Sequence, residues 1–265
     1  MRVDLITGML TACLLVCLTV PGPALAEQEW GDLSITFVYD GDPPERKRIE
    51  FDRRPPADVK LPEFDRSLLV DAKTKGVANV VMWIRQQPNS GEALPIHPSY
   101  DRLAQEPVKL TSRNLQWEPR VVFVRTGQIL QIQNPNSIGH NLKADLFNNP
   151  SFGELLPPDV PFKKSFSKEE TRPSHMCCNI YSWLDGWILI RNDPYVGTSD
   201  SQGKLTIKNI PVGKHTFALW HELPGWIKEF KLDGKGEKLE YGRLTVDIKP
   251  GDNDLGEIVF KPDRR

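Results

Sequence analysis

Four successive residues with soft or borderline donor atoms, His175, Met176, Cys177 and Cys178, stand in the stretch "SHMCCNIYSWLDGW", Ser174 to Trp187. Imidazole, thioether and thiolate are the donors that suit copper and other late transition metals. If the stretch is extended, side chains alternate between faces. Met176 and Cys178 then share one face, while His175 and Cys177 share the other. A thiol on such a strand has a plainer use as well, because free cysteine packs as a small apolar residue. Adjacent cysteines can also close a vicinal disulfide, at the cost of strained geometry.

No hydrolytic or phosphate-binding chemistry accompanies these donors. There is no serine in an elbow motif, no zinc-type His-x3-His and no glycine-rich loop after a strand. The tripeptide Trp220-His221-Glu222 is the nearest approach to an enzyme-like grouping. His221 belongs to the alternating set His215, Phe217, Leu219, His221, which reads as a core or edge histidine. The chain is therefore read as not an enzyme.

The elements that must position these donors are strands. Leu33, Ile35, Phe37 and Tyr39 alternate ahead of an Asp40-Gly41 turn, and Val80, Met82 and Ile84 alternate in "NVVMWIRQ". Leu130 and Ile132, Leu205 and Ile207, and Leu244, Val246 and Ile248 repeat the pattern. Period two over short runs bounded by turn residues indicates half-buried strands. The 23 prolines argue against long helices. Two looser stretches, Asp40 to Leu61 and Gln86 to Glu106, exceed hairpin length and read as surface loops or partner-contacting arms. The tryptophan pairs Trp183/Trp187 and Trp220/Trp226 are expected to pack between sheets.

The first residues address the chain. "MRVDLITGMLTACLLVCLTVPGPALA" has an early arginine, a short apolar run and an Ala-Leu-Ala end. That is a secretory signal peptide with cleavage after Ala26, and it implies a periplasmic or secreted protein. The apolar run is too short to span a membrane. Cys13 and Cys17 would leave with it, so no disulfide framework remains. The net charge of −1 offers nothing to nucleic acid.

The centre of the chain resembles a known family. "NLQWEPRVVFVRTGQILQIQNPNSIGHNLKADLFNN" looks like the middle of a cupredoxin: Trp117, Pro119, a strand, the Gly127 turn, a strand ending in Asn134, then His140-Asn141. Cys178-x2-Tyr181-x2-Leu184 is similar to the family's short ligand loop. "DPYVGTSDSQGKLTIKNIPVGKHTF" resembles the tail of secreted bacterial methylamine-utilisation-like proteins, which carry a carboxypeptidase-regulatory-like extension. The resemblance implies an all-β, cupredoxin-like Greek-key β-sandwich with an additional sandwich-like β extension. With the leader read from the first residues, the chain divides into a signal peptide (1–26), an N-terminal β flank (27–106), a cupredoxin-like core (107–193) and the extension (194–265).

It also implies a type 1 copper site and electron transfer with a redox or envelope protein partner. His140 and Cys178 match the first histidine and the cysteine, but Tyr181 stands at the second histidine and Leu184 at the methionine. A phenol with a pKa near 10 is a poor ligand. Three readings stay open: a copper site repaired by His175 or Met176, another or loosely held metal, and a packed pocket in a metal-free binding or scaffold module of the cell envelope.

Overall fold

The computed structural model describes residues 28–85 and 93–263. The signal-peptide reading and the segment 86–92 of the second loop lie outside them. In chain order the first flank supplies β1 (Trp30–Tyr39) and β2 (Val81–Ile84). The central block supplies β3 (Val108–Arg113), β4 (Gln116–Glu118), β5 (Val121–Arg125), β6 (Leu130–Gln133), β7 (His140–Ala144), β8 (Phe152–Leu156), β9 (Phe162–Lys164), β10 (Ser174–Cys177) and β11 (Asp185–Arg191). The second flank supplies β12 (Val196–Thr198), β13 (Lys204–Pro211), β14 (Gly213–His221), β15 (Gly225–Trp226), β16 (Glu229–Leu232), β17 (Lys235–Lys238), β18 (Arg243–Ile248) and β19 (Gly251–Phe260). One short helix, α1 (Asp101–Gln105), breaks the second loop. The chain is all-β, as its alternation predicts. Among the described residues no helix is long and apolar enough to cross a membrane.

The strands form four sheets. β5-β11-β10-β7-β8 and β4-β3-β6-β9 enclose one core, built from Leu110, Trp117, Val122, Leu130, Ile188 and their neighbours. β13-β1-β19-β16-β17 and β12-β2-β14-β15 enclose a second, built around Leu33, Phe37, Met82, Phe217 and Ile258. The two flanks are interleaved in this second sandwich. β1 lies antiparallel to β13 and parallel to β19, and β2 pairs with β12 and β14.

The sandwiches stack because their facing sheets are apolar on both sides. β2 alternates Met82 into its own core with Val81 and Trp83 outward, and β11 does the same with Ile188 and Leu189. Val81, Trp83, Val121, Leu189, Ala218 and Trp220 form a third core between the sandwiches. Trp187 meets Trp220 edge-on at 4.8 Å, and Trp83 meets Trp226 at 5.6 Å. All four residues of β2 are buried, where its alternation predicts a half-buried strand, because both of its faces are covered. Gly203, at φ +81°, lets two turns meet at van der Waals distance. A Cβ there would stand 2.2 Å from the Phe37 carbonyl oxygen.

The first loop does not stand free. Residues 47–65 fold back as a hairpin: Ile49 N–H donates to Glu63 at 3.0 Å, and Asp65 N–H to Lys47 at 2.9 Å. Its tip lies on the chain's own central block. Phe51 meets Trp183 edge-on at 4.7 Å, Val59 enters the central core, and the Ser137 hydroxyl donates to Asp58 at 2.5 Å. Arg66 donates to the Trp117 carbonyl at 3.4 Å. The stretch read as a surface loop or partner arm stays mostly exposed, and its tip lies as a strap on the chain's own central block.

Candidate functional site

β7 and β10 run antiparallel, with Met176 opposite Ala144 and Cys177 opposite Lys143. His140, Leu142 and Ala144 point into the central core, and so do Met176 and Cys178. The topology therefore puts the imidazole and the thiol on adjoining strands of one sheet, facing the same interior. Asn141 ties them together. Its Oδ1 accepts the Asn179 N–H at 2.9 Å and lies 3.3 Å from the Cys178 sulfur, within reach of the thiol proton.

The sulfur is also the hub of the following turn. The N–H groups of Ile180 and Tyr181 each lie 3.4 Å from Sγ. Cys178 N–H donates to the Leu184 carbonyl, and Leu184 N–H to the Tyr181 carbonyl, both at 3.0 Å. A short polarisable side chain at the first position of a tight loop serves its backbone as serine does in other turns.

His140 is fully buried and crosses to the opposite sheet. Its Nε2 lies 2.6 Å from the Ser112 hydroxyl on β3, and Nδ1 lies 3.4 Å from the Asn141 carbonyl. Burial holds the imidazole below its ordinary pKa, against a weaker pull from Asn141. Asn134 and Asn136 complete a buried polar network. Asn134 donates to the carbonyls of Ile138 and Leu156 at 2.8 Å, and Asn136 donates to the Ser112 carbonyl. Ser112 and His140 are a hydroxyl–imidazole pair, but neither has exposed surface. A substrate cannot reach them, and the pair is structural.

The remaining candidates fill space. Leu184 and Met176 are fully buried among Trp117, Leu142 and Ile188. Tyr181 packs on Trp183 at 5.3 Å, and burial, then the neighbouring Cys178, raise its pKa. Phenolate is thus harder to form there than in water. His175 lies on the other face, half-exposed, 5.0 Å from the Trp187 ring and with Nε2 3.9 Å from Asp185. Cys177 is a free, half-buried thiol beside Lys143, and burial raises its pKa. Among the described residues no three His, Cys, Asp or Glu side chains gather as a metal site. A trigonal copper centre needs two imidazoles and a thiolate. This pocket offers one imidazole and one thiol, with Tyr181 and Leu184 where further donors would be needed, so the residues present do not fit that centre.

A second polar cluster escapes a linear reading. Arg120, on the turn into β5, is 6 % exposed and grips Glu222 with two bonds, at 2.6 and 2.7 Å. It also reaches Asp185 at 3.2 and 3.3 Å, and Trp187 Nε1 donates to Glu222 at 3.3 Å. This cluster joins the two sandwiches. Burial raises the pKa of Glu222, while His175 and Arg120 outweigh burial at Asp185 and lower it. The neighbouring His221 is fully buried. Its Nδ1 accepts the Leu223 N–H at 3.3 Å, and Nε2 has no well-aligned partner. The Trp-His-Glu tripeptide was the only local signal, because the partners are 102 and 65 residues apart.

No protein-family model matches the sequence, and no curated protein does. Similar solved structures include a purple cupredoxin from Nitrosopumilus maritimus, with 17 % identity and a TM-score of 0.27 over 31 % of this chain and 98 % of that one. A copper-containing nitrite reductase from Thermus scotoductus shares 17 % identity, with a TM-score of 0.30 over 39 % of this chain and 25 % of its own. A reduced mutant of amicyanin shares 12 %, with a TM-score of 0.29 over 32 % of this chain and 82 % of its own. These likenesses fall on roughly a third of the chain, at TM-scores of 0.30 or less, and carry no argument about it.

Proposed function

We propose that this chain is a non-catalytic binding or scaffold module of the cell envelope, with a cupredoxin-like pocket that is packed shut and holds no metal. The carrying observation is the Cys178 sulfur, enclosed by Asn141 and by the N–H groups of the loop that ends at Leu184. Tyr181 and Leu184 add apolar volume where a second imidazole and a thioether would be needed. The strap strengthens the reading, because Phe51 covers Trp183 on the surface by which a redox partner would approach that loop. The envelope location rests on the signal peptide read from residues 1–26.

Electron transfer through copper is the second reading. One observation favours it: His140, Cys178 and the Met176 thioether all face one interior. Loading the mature protein with Cu(II), followed by dialysis and metal analysis, separates the two. Well under one copper per chain and no intense visible sulfur-to-copper band are expected. Stoichiometric copper with such a band, both lost in Cys178→Ala, would establish the second reading and end the first.

A further inference from the structure

The two sandwiches meet at the tryptophan core and part where β5 passes β12 and β13. There they leave a groove of about 700 Å³. One wall is the outer face of β5, with Phe123 and Arg125. The other is formed by β12 and β13, with Val196 and Lys208. The roof is the stretch around α1, with Leu103 and Val108. A volume in the range of small-molecule sites, at a junction between domains, lined by apolar side chains with a few polar groups, is the usual anatomy of a ligand site.

The groove is built rather than left over. The Tyr100 hydroxyl donates to the Lys208 carbonyl at 2.7 Å, which ties the roof to β13. Gln128 donates to the carbonyls of Leu103 and Glu106, at 2.7 and 2.9 Å, which ties it to the turn after β5. The Tyr195 hydroxyl, beneath, donates to Pro95 at 2.6 Å. A roof held at three points gives little entropy away when a ligand enters.

Its charge is one-sided. Glu106 is the acid in the lining, and Arg102 pairs with it at 3.4 Å on the helix. Arg125 makes only a long 3.5 Å bond to the Asn192 carbonyl, and among the described residues neither Arg125 nor Lys208 enters an ion pair. Two uncommitted cations beside an apolar trough complement an amphiphilic anion. A guanidinium fork suits a carboxylate in particular. We infer that the groove binds a small carboxylate with an apolar acyl body, the tail lying along Phe123, Val196 and Leu103 and the carboxylate meeting Arg125 and Lys208. The inference is independent of whether Cys178 holds a metal.

Titration calorimetry with octanoate and with uncharged octanol tests it on the mature protein. Octanoate is expected to bind about tenfold or more tightly than octanol, the worth of a charge-assisted contact. The double variant Arg125→Gln/Lys208→Gln removes that preference. Thr206→Trp, which fills the groove from an exposed position on β13, weakens both ligands. Leu103→Glu, at a residue 48 % exposed, takes away a tail contact and adds a like charge, so it weakens both ligands and octanoate the more. Absence of octanoate binding, equal affinity for octanol, or binding untouched by both Thr206→Trp and Leu103→Glu would each overturn the assignment.

Discussion

Replacing Arg120 with methionine is expected to destabilise the protein by about 3 to 5 kcal/mol, the cost of removing one partner from a buried ion pair. Arg120 and Glu222 are each 6 % exposed at the side chain, so the stranded carboxylate would have no water to turn to. Burial works against the guanidinium charge, but Glu222 and Asp185 more than offset it and keep it protonated. Asp185, about a third exposed, loses less because solvent reaches it. The double variant Arg120→Met/Glu222→Leu should recover much of the loss, since an apolar pair of similar volume is often as stable as a buried ion pair. The remainder reflects the Trp187 indole N–H, which loses its acceptor. Urea unfolding of the three proteins measures this. Equal stability of Arg120→Met and the parent would show that the cluster does not couple the sandwiches.

His221 is expected to set the first stage of acid destabilisation. Burial, and then the charge of Arg120, hold its pKa at about 3 against an ordinary 6.5, with the Ala78 backbone opposing only in part. The native state therefore keeps the imidazole neutral while the unfolded chain takes up a proton below pH 6.5. Where the unfolded state binds more protons, stability falls as pH falls. The loss runs from about pH 6.5 towards pH 3 and reaches roughly 5 kcal/mol, at 1.36 kcal/mol per unit. Glu222 and Asp193 act with the opposite sign, because burial raises their pKa values. Asp185, whose pKa is lowered, adds its loss only in the carboxylate range below about pH 4. Comparing the parent with His221→Gln between pH 6.5 and 4.5 isolates the imidazole. The variant should start less stable and show a flatter acid limb. Parallel limbs would mean that His221 is hydrated or protonated in the native state.

The sequence exposes local pattern and hides long-range pairing. The alternation of Leu33 to Tyr39 became β1, and the parity of His175 to Cys178 became the observed division between Trp187 and the core. Both follow from the pleat, which any four residues reveal. Gly251 to Phe260 misleads by the same logic. It opens with Gly-Asp-Asn-Asp, turn chemistry, yet forms a ten-residue strand parallel to β1, because pairing with a buried strand outweighs local preference. The strap and the Arg120 cluster were hidden for another reason. Phe51 with Trp183, and Arg120 with Glu222, are set by tertiary packing and leave no periodic trace. Of the candidate site, the donor types and their missing partners could be read. That Ser112 would occupy the imidazole, and Asn141 the thiol, could not.

The most direct measurement is a crystal structure of the mature protein grown with excess Cu(II), with anomalous data collected at the copper edge. A pocket closed by Ser112, Asn141, Tyr181 and Leu184 should show no anomalous peak beside Cys178, with the Ser112–His140 hydrogen bond intact. A full-occupancy peak bonded to the Cys178 sulfur and a His140 nitrogen would contradict it.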